Sequence, residues 1–122
     1  MGLFNKDPLE KQLGEIARAE SVAFGGVGIA GTLLPATQAY FSIEEALPLH
    51  KRDLKPKLEK MLDSATPAGR IYAAELLTHV EAAAGRAAWR RLADQNAEVS
   101  TFSGCIMAKT TLHRYASERL DG

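Results

Sequence analysis

The side chains of this 122-residue chain that are able to do chemistry are few and scattered. The single cysteine, Cys105, would act as a nucleophile only with a lowered pKa and an oriented base, for which His79 and His113 are the candidates. Its surroundings, Ser103-Gly104-Cys105, contain no nucleophile-elbow motif, and Ser100-Thr101 read as turn or cap residues. A buried, inert thiol is the expectation, because free cysteine is among the most buried residue types. His50, His79 and His113 form no i, i+4 pair and stand near no second ligand, so no metal site is expected. Gly26-Val27-Gly28-Ile29-Ala30-Gly31 fits the glycine spacing that admits a pyrophosphate at a helix N-terminus. Its context does not fit: Pro35 interrupts the helix that should follow, and no second strand with a terminal acid appears. A close-packed or flexible turn is expected, and no cofactor. Glu44-Glu45 resemble an acid/base pair, but Ser42 with Glu45 also reads as a capping box.

Two basic clusters remain: His50-Lys51-Arg52 with Lys55 and Lys57, and Arg86 with Arg90-Arg91 around Trp89. Such clusters can meet phosphate or an acidic protein surface. Fifteen Lys+Arg against fifteen Asp+Glu leave the chain neutral, which argues for solvated helix faces and against nucleic acid. A 46% apolar, 25% charged composition is that of a globular protein. One cysteine makes no internal disulfide. The start, Met1-Gly2-Leu3-Phe4-Asn5-Lys6-Asp7, lacks the pattern of a signal peptide, and Lys6 stands where a myristoylation signal carries Ser or Thr. The expected location is cytoplasmic. Ser21 to Ile43 is uncharged and long enough for a bilayer, but its glycines, Pro35 and Gln38 make a buried or partner-facing segment the better reading, and no membrane partner is expected.

The elements that must position these residues read as helices. Asp7-Pro8-Leu9-Glu10 is a cap, a first-turn proline and a capping-box glutamate, with Leu9, Leu13, Ile16 and Ala17 following at helical spacing over about 8–20. Residues 21–34 are glycine-rich and predict an irregular turn. After Pro35 come Ala36, Ala39, Tyr40, Ile43 and Leu47, ended by Pro48; then Leu54, Leu58, Met61 and Leu62 over about 50–64. Thr66-Pro67 caps a further helix through Ala73, Leu76, Leu77 and Val80. Ala88, Trp89, Leu92 and Ala93 form another, broken at Asp94-Gln95-Asn96. Cys105, Ala108, Leu112, Tyr115 and Ala116 place the last helix, although Val99–Phe102 is also compatible with extended chain. No segment reads firmly as a strand.

Laid on itself so that Leu58 falls on Trp89, the chain also brings Met61 onto Leu92, Asp63 onto Asp94 and Ala73-Ala74 onto Gly104-Cys105. Leu54–Val80, with Pro56, Asp63, Arg70, Ala73-Ala74 and Leu77, resembles a HEAT-type repeat. The second copy, about 86–120, departs from that pattern, with Thr101 in place of the arginine. The resemblance implies that Asp63 and Arg70 tie neighbouring turns together. Together with the helices read above, it leads to the expectation of an all-α single domain over 1–122 with five to six helices: N-terminal helices and a glycine-rich turn over 1–49, then two helical pairs over 50–122 stacked, as the resemblance implies, in a right-handed HEAT-like solenoid. The second helix of each pair would line a binding face, offering Tyr72, Glu75 and His79 from the first copy and Met107, Thr111 and Arg114 from the second. Such a fold hosts many roles. With no assembled catalytic set, a non-enzymatic protein-binding module is expected, and within that class an immunity protein covering the active site of a bacterial toxin. Against a nuclease, Glu75, Glu81 and Glu98 would mimic phosphate. An adaptor subunit docking through 21–43, and a ligand binder or enzyme using the glycine-rich segment and Cys105, are the alternatives.

Overall fold

The computed structural model describes residues 8–28 and 31–121. Their order is α1 (Pro8–Ala17), β1 (Ser21–Val22), α2 (Pro35–Ser64), α3 (Pro67–Val80), α4 (Ala82–Ala93), β2 (Glu98–Ser103), β3 (Ile106–Thr111) and α5 (Leu112–Asp121). The expected Asp7 cap lies outside the described residues, as do Ile29 and Ala30 of the glycine motif.

α3 is the centre of the molecule. A helix apolar all round must be enclosed by other elements, and Ile71, Tyr72, Ala73, Ala74, Leu76 and Leu77 of α3 are all fully buried. α1, α2, α4, β1 and β2 pack around it. The start of α3 is fixed as its sequence implies: the Thr66 hydroxyl accepts from the Gly69 N–H at 3.1 Å and Pro67 occupies the first turn. The same hydroxyl donates to the Ala19 carbonyl at 2.5 Å, so one cap also anchors the end of α1.

α2 differs from the two separate helices expected. Pro48 does not end it. The helix runs on to Ser64 through a kink at His50 (φ −132°, ψ 19°). A proline removes one backbone donor and crowds the preceding turn, and a bend absorbs both without unwinding the helix. Ser42 and Glu45 therefore lie inside α2 and form no capping box at its start.

The all-α expectation is corrected at residues 98–111. These form a β-hairpin, not the first half of a helix. β2 and β3 pair antiparallel from Glu98↔Thr111 to Ser103↔Ile106, turning through Gly104-Cys105 with Gly104 at φ 60°. Such a two-residue turn needs positive φ, which glycine adopts without a Cβ clash. β1 adds in parallel through Ser21↔Ser100 and Val22↔Thr101, giving the sheet order β1-β2-β3. The molecule is thus mostly helical with a small three-stranded sheet. The first expected pair exists as the second half of α2 with α3. The second pair is interrupted by the hairpin between α4 and α5.

Asp63 and Arg70 do tie neighbouring turns together. Arg70 donates to the Ala65 carbonyl at 2.9 Å and to Gln95 Oε1 at 2.6 Å, and Asp63 pairs with Arg91 of α4. Members of both basic clusters serve the same purpose: Arg91 through Asp63, Lys55 by meeting Glu81 at 2.9 Å and Lys57 by meeting Glu10 at 2.7 Å. None of the helices among the described residues is long and apolar enough to cross a membrane.

Candidate functional site

The sequence-derived residues fall in three places. Tyr72, expected to face a partner, is wholly buried. Its hydroxyl donates to the Ala23 carbonyl and accepts from the Ala23 N–H, both at 2.8 Å. Thr37, also wholly buried, donates to the same carbonyl at 2.8 Å. A buried backbone amide and carbonyl need partners, and these two hydroxyls supply them where the segment after β1 crosses the core. Glu75 and His79, further along α3, do reach the surface. Met107 is exposed, but on β3 and not on a helix. Thr111 ends β3 and caps α5, its hydroxyl accepting from the Arg114 N–H at 3.1 Å. Arg114 lies in solvent beside Glu118.

Glu75 belongs to a groove of about 370 Å³ lined by Phe24, Tyr40, Phe41, Glu44, Glu75, Tyr115 and Arg119. α2 supplies Tyr40, Phe41 and Glu44 within one turn, where residues three and four apart share a face. Phe24 comes from the segment after β1 and meets the edges of Tyr40 (5.0 Å) and Tyr72 (5.3 Å). Tyr40 in turn meets Phe41 edge to face at 5.6 Å. Edge-to-face rings are a favourable arrangement and fix one another's orientation. α5 closes the far side. Arg119 donates to both oxygens of Glu75 at 2.5 and 2.8 Å and lies 5.2 Å from the Trp89 ring centroid. His79 Nε2 is 3.1 Å from a Glu44 oxygen, and the Tyr40 hydroxyl is 3.5 Å from the same atom.

The electrostatics follow from this packing. Burial, then the Glu44 and Glu75 carboxylates, push the Tyr40 phenol far above its usual range, against the opposing pull of Arg119. Tyr115 is raised by burial and then by Glu75. Both phenols therefore stay protonated, and the charged side chains of the groove's lining are Glu44, Glu75 and Arg119.

The cysteine expectation is corrected. Cys105 is exposed at the hairpin tip, not buried in a helix crossing. His113 follows the opposite end of β3, so the six-residue strand separates the two by about 20 Å. His113 Nδ1 donates to the Ala93 carbonyl at 2.6 Å. The glycine segment also has a packing role. A Cβ on Gly26 would stand 2.3 Å from the Gly31 oxygen, and the Gly28 N–H donates to Gly104 at the hairpin tip. Among the described residues no three His, Cys, Asp or Glu side chains are grouped to hold a metal. Of the carboxylates proposed to mimic phosphate, Glu75 is engaged by Arg119 and Glu81 by Lys55.

No protein-family model matches the chain, and neither curated proteins nor solved structures give a match.

Little of the groove is legible in the sequence. Of its lining residues, Glu75 belongs to the expected binding face and Glu44 to the acid/base candidate pair. Nothing in the spacing groups them with Tyr40, Phe41, Tyr115, Arg119 and Phe24. One signal was present: Phe41 lies off the stripe formed by Ala36, Ala39, Tyr40, Ile43 and Leu47.

Proposed function

We propose that this chain is a non-enzymatic protein-binding module, and within that class an inhibitor of the immunity type that acts in the cytoplasm by covering the active site of a cognate bacterial toxin. The observation that carries the reading is the groove, in which exposed edges of Phe24 and Phe41 stand beside partly exposed carboxylates. Tight protein contacts concentrate on a few aromatic and charged residues at the middle of an interface. Glu75 and His79 sit at this groove as contact residues, whereas Tyr72 serves the core. Met107, Thr111 and Arg114 would form a separate contact on the hairpin side.

An adaptor role in a larger assembly is the second reading, favoured by β3. Its outer edge is unpaired by any described strand, and Ile106 and Met107 on it are 71% and 57% exposed. Apolar edge strands invite pairing with another chain.

Co-expression tests the first reading. The C-terminal domain of the protein encoded by the adjacent reading frame is induced in a bacterial host with and without the chain. Growth is expected to recover only with the chain present. Continued growth arrest with the chain folded and abundant would sink the inhibitor reading. A thermal-shift panel of nucleotides and metabolites tests the binding-module class itself, because a ligand of the native state raises its stability. No stabilisation is expected.

A further inference from the structure

The groove already holds one arginine, and it does so with two ingredients. Arg119 Nη2 donates to both oxygens of Glu75, and the Trp89 ring lies under the same guanidinium. A planar guanidinium suits this site because it donates charge-assisted hydrogen bonds from its edge and presents a flat face to a ring. The same ingredients recur on the α2 side with no arginine between them. The Glu44 side chain is 37% exposed, and Phe41, one helical turn before it, is 39% exposed. Phe24, 37% exposed, stands across Tyr40 from Phe41. Among the described residues Glu44 meets the His79 ring at 3.1 Å and the Tyr40 hydroxyl at 3.5 Å through the same oxygen, which leaves acceptor capacity on the carboxylate.

Charge selects the occupant. An anion entering here would meet Glu44 and Glu75, with the Arg119 charge already engaged. A neutral apolar group would cover Glu44 without a hydrogen bond, which is costly for a carboxylate. A guanidinium answers both the carboxylate and the exposed surface of the rings.

We propose that the end of the groove formed by Glu44, Phe41 and Phe24 binds an arginine side chain of the partner protein, its guanidinium lying against the rings and donating to the Glu44 carboxylate. This deepens the protein-binding reading and rests on it.

The test uses the full-length ¹⁵N-labelled chain titrated with N-acetyl-arginine methylamide, and separately with N-acetyl-citrulline methylamide, which has nearly the same shape without the charge. Saturable shifts are expected at the amides of Phe24 and of residues 40–44 with the arginine compound at millimolar concentration. The citrulline compound is expected to bind about tenfold more weakly, as is the arginine compound to Glu44→Gln, since each loses a charged hydrogen bond. Glu45→Gln makes the same change of net charge on an exposed neighbour outside the groove, and it is expected to bind as the native chain does. Equal shifts from arginine and citrulline, undiminished binding by Glu44→Gln, or equal weakening by Glu45→Gln would each overturn the proposal. The co-expression assay separates this failure from that of the inhibitor reading. Full rescue by Glu44→Gln would remove the groove from the interface and leave the inhibitor standing. Absence of rescue by the native chain would remove the inhibitor and leave the titration result untouched.

Discussion

Tyr72 and Tyr40 are neighbours with ring centroids 5.6 Å apart, yet they do different work. Tyr72 is committed to the backbone of Ala23. In Tyr72→Phe, the Ala23 carbonyl keeps Thr37 as a donor, but the Ala23 N–H is left buried with no acceptor in place of the lost oxygen. An unsatisfied buried donor costs about 1–3 kcal/mol. Urea denaturation at neutral pH should show a loss of that size, with an unchanged m-value. Tyr40 serves the groove, and its effect appears at high pH. The native chain holds the Tyr40 and Tyr115 protons more tightly than the unfolded chain, whose phenols ionise near an ordinary pKa of about 10. The resulting stability is fully present below pH ~10 and is lost as the pH rises from there toward the native values. Unfolding free energy measured from neutral pH upward should therefore be flat with respect to these two groups and then fall. Tyr40→Phe should make that fall shallower. An alkaline limb as steep in the variant as in the native chain would show that Tyr40 does not drive it.

At the scale of elements, close helix crossings decide which glycines tolerate a side chain. On Gly85 of α4, a Cβ would lie 2.3 Å from Thr78 Oγ1 and 2.6 Å from the Thr78 Cα on α3. The backbone atom has no rotamer to escape through. Helix propensity alone favours alanine over glycine by about 1 kcal/mol, but overpacking costs about 1–3 kcal/mol. Thr78 also accepts from the Trp89 indole at 3.3 Å, so displacing it disturbs a second contact. Gly85→Ala should lower the melting temperature, whereas Gly14→Ala on α1 should hold or raise it. There the nearest atom is the movable end of Arg18, at 3.2 Å. The same crossings explain which elements the sequence made readable. The Thr66 cap and the apolar stripes placed α1 and α3 to within a few residues and marked the second half and the end of α4, because each buries one continuous set of side chains. The hairpin left no such trace. Of β2 and β3 only Val99 is buried, so no alternation of buried and exposed residues runs through either strand. Cys105 in the turn and Ala108 on exposed β3 fall at helical spacing from Leu112, the buried first residue of α5, merely because an exposed hairpin tolerates small residues. The groove is hidden for a similar reason. Phe24 reaches it through a glycine-rich segment whose path is set by Tyr72 and Thr37, contacts that lie far apart in sequence.

For the molecule as a whole, the question is whether stability is shared among stacked helical pairs or held in one core. In a solenoid each repeat contacts only its neighbours, and loss of a terminal repeat leaves the others folded. Here the N-terminal arm is woven into the centre. Ile16 and Val22 are in the core, β1 pairs with β2 from the other end of the chain, and Ala17, Ala19 and Ala23 each hydrogen-bond to the stretch from Thr66 to Tyr72. Removing residues 1–34 would strip the Tyr72 hydroxyl of its backbone partners, open one side of α3 and take away the strand beside β2. Large buried apolar side chains are worth about 1.5–3 kcal/mol each, and a domain's whole stability is only about 5–15 kcal/mol. Losing Leu13, Ile16 and Val22 together with those hydrogen bonds should leave too little to fold. The full chain is expected to unfold in one transition, with helical and aromatic circular dichroism coinciding. The fragment from Pro35 onward is expected to show no cooperative transition. A fragment that melts sharply, with helical content close to that of the same residues in the intact chain, would return the molecule to the class of independently stacked repeats.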